Sequence, residues 1–143
     1  MLLALHNSEE ALTFTRYLPI VQARAPDLTK PIIGALTYPT MLWALALATL
    51  IPLAIVVWAV ARPTSREALW LAVTIQAVVA VNVLSHIGAA IFLGGYSPGV
   101  LTAVLVNVPF SIYFFRRAAR EHWLSRRALW ATLPAAVFIH GPG

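Results

Sequence analysis

Apolar and polar positions along the chain fall into four long apolar runs, separated by short charged or turn-forming stretches and preceded by a mixed opening segment. Residues 32–61 and 67–94 are the clearest runs. A hydrocarbon core about 30 Å thick needs about 20 apolar helical residues, so both read as membrane spans. Residues 99–115 are near the minimum length, and residues 124–140 form a short fourth run once Trp123 and Leu124 are allowed to extend it inward. Pro39 is expected to mark an entry turn and Pro52 a kink. The pattern predicts an all-α polytopic membrane helix bundle of about five helices: four spans and an N-terminal helix, with residues 1–31 as that helix and its loop. One domain covers residues 1–143.

The opening segment reads in two ways. As a continuous helix, residues 1–18 would cover about 25 Å at 1.5 Å per residue, enough to enter the bundle. Alternatively, Asn7 or Ser8 caps a helix, with Asn7 and Glu10 at capping-box spacing, and residues 1–6 fray while the helix lies at the interface. A cleaved signal peptide is not expected, because a basic leader is missing and Glu9 and Glu10 interrupt the apolar stretch.

Composition sharpens the membrane reading. Apolar residues make up 60% of the 143 and charged residues only 10%, with a mean hydropathy of +0.80. A soluble fold this small has too little interior for that much apolar surface. The net charge of +5 suggests a nucleic-acid partner until the positions are read. The arginines flank apolar runs, so nucleic acid is not an expected partner. Arg62, Arg66, Arg116, Arg117, Arg120, Arg126 and Arg127 share one side of an alternating path, against Arg16, Arg24 and Lys30 on the other. The arginine-rich loops are therefore expected in the cytoplasm and the turn GGYSPG (94–99) outside. The chain has no cysteine, which excludes disulfides, thiolate catalysis and thiolate metal ligands.

Polar residues inside the runs carry the candidate chemistry, since such groups are costly in a membrane and face an interior or a cavity. Counting from the outer ends, Glu10, His86 and Asn107 each lie about 12 Å deep, while His6 and Asn82 lie about 18 Å deep. His6, Glu9 and Glu10 share one helical face, as do Asn82 and His86. Asn107, Gln76 and Thr74 have an ordinary reading as interhelical hydrogen-bonding groups. His122 is expected in solvent among the loop arginines, and His140 lies too near a helix end to be placed.

Three segments, HNSEE, NVLSH and GGYSPGVLTAVLVNVP, together resemble the HXXEE family of small bacterial membrane proteins, over roughly residues 3–115. His6, Glu9 and Glu10 match its first element, His86 the second histidine, and Tyr96, Pro98 and Gly99 its Tyr-x-Pro-Gly turn. The family has no assigned activity, so the resemblance implies a site and not a substrate.

Three chemistries suit these residues. In the first, His6, His86 and Glu9 or Glu10 hold a divalent metal such as Zn, Fe or Mn, and the remaining glutamate acts as general base toward a membrane-dissolved substrate. Neither the H-E-x-x-H pattern nor the Glu-x-x-His order of di-iron bundles is reproduced. In the second, the adjacent carboxyls share a proton and, with His86, serve a metal-free isomerase or cyclase or bind a lipid. In the third, the chain is a proton-linked transporter subunit or carrier, which the lack of an inverted repeat disfavours. The metal reading is preferred, because a cation best offsets the burial of imidazoles facing carboxylates. Asn82, Tyr96 and Asn107 are expected to contact substrate or support the ligands. Membrane lipids and a lipophilic ligand are the expected partners, and a homo-oligomer is compatible with the pattern.

Overall fold

The structure, a computed structural model, describes residues 2–25 and 27–141. Met1, the first residue of the predicted N-terminal helix, lies outside the described residues, as do Pro26, Pro142 and Gly143. The described residues form six helices and no strand: α1 (Leu2–Arg24), α2 (Lys30–Gly34), α3 (Tyr38–Ala61), α4 (Arg66–Leu93), α5 (Val100–Arg120) and α6 (Arg126–His140). Of these, α3, α4 and α5 are long and apolar enough to cross a membrane. At 15 residues α6 is shorter, about 22 Å. It begins at Arg126 and not at 124, because the Ser125 side chain caps it by accepting from the Ala128 N–H.

The capping alternative for the opening segment does not hold. α1 runs unbroken from Leu2, so Asn7 lies in its interior, where its side-chain amide donates to the Leu45 carbonyl (3.3 Å) and Thr49 Oγ1 (2.7 Å) on α3. The helix also continues past Leu18, through Pro19, to Arg24. The predicted run beginning at residue 32 divides in two. Thr37 and Thr40 form a capping box that starts α3, with Pro39 in the first turn where a missing N–H costs nothing.

α4 is central: it packs on α3, on α5 and most extensively on α6, while α1 lies against α3 and the start of α5. Buried apolar residues are mostly alanine, which lets helix backbones approach closely. The fully buried larger side chains include His6 and Asn107, whereas Leu12, Phe138 and Ile91 are more than 70% exposed. Apolar groups outside and polar groups inside invert the distribution of a water-soluble core.

Two irregularities position the interior polar groups. Gly94 ends α4 in the left-handed conformation (φ 71°). The following turn does not simply project outward, as expected of a tight loop, but folds back into the bundle. Ser97 is buried and its hydroxyl donates to the His86 carbonyl at 3.2 Å. α5 then contains one turn of π-helix, Ala103–Asn107, in which the Val108 N–H reaches back five residues to the Ala103 carbonyl. Pro109, just beyond, has no N–H to give the preceding turn, so the ladder is already interrupted there.

Candidate metal centre

His6 and His86 come together from α1 and α4. Their rings meet edge to face with centroids 4.7 Å apart. Glu10 joins them: one ligand atom from each of His6, Glu10 and His86 lies within 4.8 Å of the other two. Gly99 allows this approach. Its φ of 80° suits glycine, and a Cβ there would stand 2.9 Å from Cε1 of both histidines.

Hydrogen bonding fixes which nitrogen each histidine presents. Thr102 Oγ1 donates its proton to Glu9 Oε2, so toward His6 Nδ1, 2.9 Å away, it can only accept. His6 therefore carries its proton on Nδ1 and holds a lone pair on Nε2. Asn82, one turn before His86, places its side-chain amide 3.3 Å from His6 Nε2 and 3.1 Å from His86 Nε2. An NH2 group donates to both, so both Nε2 lone pairs face the same point. The carboxylate–hydroxyl–imidazole chain of Glu9, Thr102 and His6 is the kind of support that orients metal-ligating histidines.

Glu9, expected as a ligand or base, stands outside the His6–Glu10–His86 group. Its carboxylate is occupied by the start of α5 and the turn: Oε1 accepts from the Tyr96 hydroxyl and the Leu101 N–H (3.3 Å), Oε2 from the Thr102 N–H (2.8 Å) and hydroxyl. Consecutive residues point about 100° apart on a helix, so Glu9 and Glu10 serve different neighbours. Tyr96 packs on Tyr17 with ring centroids 5.3 Å apart. Burial and the Glu9 carboxylate hold its phenol above the ordinary tyrosine range, so it remains a donor at neutral pH.

Asn107 is not brought to this group. The depth count took Gly99 as an outer boundary, but Gly99 touches both histidines, so Asn107 lies about 12 Å further along the bundle. Gln76 does bridge helices, donating to Ser111 Oγ at 2.8 Å, whereas Thr74 Oγ1 has no partner among the described residues. His140 meets Ser85 Oγ at 2.8 Å across the α4–α6 contact, and His122 is exposed in the turn after α5. Thr102 is the residue that the sequence reading missed, because its partner Glu9 lies 93 positions away and no local spacing links the two.

A groove of about 210 Å³ opens onto the group, lined by Glu10 and His86 together with Phe14, Leu18, Ala89 and Leu93.

A family described as proteins of unknown function with an HXXEE motif matches residues 1–114, and the chain belongs to that family. No curated protein and no solved structure matches the chain.

Proposed function

We propose that this HXXEE-family chain is a metal-dependent membrane enzyme that binds one divalent ion at His6, His86 and Glu10 and acts on a lipophilic substrate. The observation that carries this reading is the meeting of two imidazoles and a carboxylate, His6, His86 and Glu10, with both Nε2 atoms within reach of the Asn82 amide. Acceptors gathered in a water-poor interior repel one another unless a cation joins them. Imidazole and carboxylate without thiolate suit Zn, Fe or Mn, and three protein ligands leave a position open. A bound ion would supply Lewis acidity and lower the pKa of a coordinated water.

The protein's own groups divide the remaining work. Glu9, through Thr102, holds the His6 tautomer and is a positioning residue. Asn82 donates from its NH2 group to both Nε2 atoms, and an ion bound there would displace that amide and free it to contact substrate. Tyr96 clamps Glu9 and joins the turn to α1. The groove beside Glu10 admits substrate from the lipid phase. We place the chain in a bacterial inner membrane on the strength of the family resemblance, with the arginine-rich loops in the cytoplasm and the metal nearer the outer leaflet on the strength of the loop charges.

Elemental analysis of the full chain purified in detergent tests the proposal. One Zn, Fe or Mn per chain is expected, falling at least tenfold in affinity in Glu10→Gln and His86→Gln. A folded protein that takes up none of the three ions, or binds them equally well in both variants, refutes it. A co-purifying lipid without metal would favour the acid-base reading instead.

A further inference from the structure

A second cavity, of about 530 Å³, lies among α1, α3, α4 and α5, on the far side of His6 from the groove. Leu2, Leu53, Val56, Val79 and Phe110 make it predominantly apolar, and no charged side chain lines it among the described residues. Its polar wall consists of Thr49, Gln76 and Asn107. Two of these are committed elsewhere. Thr49 Oγ1 accepts from Asn7 and donates to the Leu45 carbonyl, and Gln76 Nε2 donates to Ser111. Asn107 is not: it is 2% exposed, yet its Nδ2 has no hydrogen-bond partner. A bridge donated from the Asn107 amide nitrogen requires an acceptor on a neighbouring helix, and none stands there among the described residues. An unpaired amide donor is seldom left buried without a reason. Asn107 also ends the π-helical turn, whose extra residue sets the face of α5 that the side chain occupies.

We propose that this cavity binds an uncharged, membrane-dissolved lipid with a carbonyl oxygen in its hydrocarbon skeleton, a ketone or simple acyl ester, and that the Asn107 amide turns about its terminal side-chain bond to donate from Nδ2 to that oxygen. The lack of a lining charge selects against phosphate or carboxylate head groups. Asn107 also lies about 13 Å along α5 from Arg116, deeper than a head group anchored at the arginine-rich end would reach. The inference rests on the membrane reading of the chain but not on a bound metal, because the cavity shares no residue with the His6–Glu10–His86 group.

Photolabelling tests it, with a 16-carbon fatty acid methyl ester bearing a mid-chain diazirine compared against the diazirine alkane of the same length. The full chain in lipid nanodiscs should be labelled on cavity-lining segments of α1, α3 or α5, about fivefold more by the ester, the worth of one net hydrogen bond. Asn107→Leu should abolish that preference while keeping both metal content and melting temperature. Val79→Trp, which fills the cavity, should block both probes. Equal labelling of the wild type by ester and alkane overturns the proposal, as does an ester preference that survives in Asn107→Leu. If Asn107→Leu does not fold, the amide is structural and the proposal also fails. Loss of metal from the wild type would refute the metal centre and leave the ester preference as the readout of this cavity.

Discussion

Helices α1, α4 and α5 contribute to both interior polar regions, joined by α3 at the second, and the two regions differ in one respect. Around His6 and His86 the donors are used: Thr102 and Tyr96 serve Glu9, one Asn82 amide serves both Nε2 atoms, and the Glu10 carboxylate stands beside them, so acceptors outnumber donors. Around Asn107 the excess is a donor, with apolar walls on most sides. Surplus acceptors suit a cation and a surplus donor suits a neutral oxygen. The contrast shows that the number of polar residues in a membrane-type interior is less informative than the kind left unpaired.

Gly99→Ala should break the first region most severely. The new Cβ meets both imidazoles at 2.9 Å and the residue must keep a left-handed φ, so a loss of about 3 kcal/mol is expected, with loss of metal binding. Gly88→Ala is the control: nothing lies near its Cβ, and thermal unfolding should show no loss. A Gly99→Ala protein as stable as wild type would mean that the turn does not pack on the histidines.

Removing support without touching a ligand should have a smaller effect. Glu9→Gln and Thr102→Val are each expected to weaken metal binding about tenfold to a hundredfold by freeing the His6 tautomer. Equilibrium dialysis at several pH values checks this, and the conservative Thr102→Ser should restore affinity. Unchanged affinity in all three would reduce Glu9 to a clasp between α1 and α5.

Leucine substitutions sharpen the comparison, because they should act with opposite signs in the two regions. Asn107→Leu removes an unpaired donor and should be neutral or stabilising by about 1 kcal/mol in thermal unfolding. Asn82→Leu strips both Nε2 atoms of their donor and should destabilise the metal-free protein by about 2 kcal/mol. The same sign for both would erase the distinction drawn between the regions.

The smallest effect belongs to Tyr96. Its phenol pKa is raised in the fold, so its contribution is complete below the unfolded value of about 10 and is lost as pH climbs through the folded value. Stability should therefore be flat in this group through neutral pH and fall at the alkaline end. Tyr96→Phe should remove that alkaline fall; if the fall persists, another group is responsible.

How much of this was legible in the sequence depended on distance along the chain. The helical class, the three long apolar helices and the face shared by His6 and Glu10 follow from periodicity and hydropathy, which are local. The meeting of His6 with His86 and Asn82 was reachable by counting depth, because straight helices translate position into height at a constant rise. The same count misplaced Asn107, since it assumed that Gly99 ends a span at the surface. A turn that folds back into the bundle breaks that translation, and nothing local in GGYSPG announces it. That Glu9 stands apart from the His6–Glu10–His86 group was hidden for a related reason: its partners, Tyr96, Leu101 and Thr102, arrive from that turn and the start of α5. Capping chemistry also misled at Asn7, where partners on α3 outweigh the local capping preference.

Anomalous diffraction from crystals of the full chain grown with Zn²⁺, collected above and below the zinc edge, tests the central claim most directly. The account predicts one anomalous peak about 2.0–2.2 Å from His6 Nε2, His86 Nε2 and a Glu10 oxygen. Crystals saturated with zinc that show no peak there, with the Asn82 amide still bridging the two imidazoles, would contradict it.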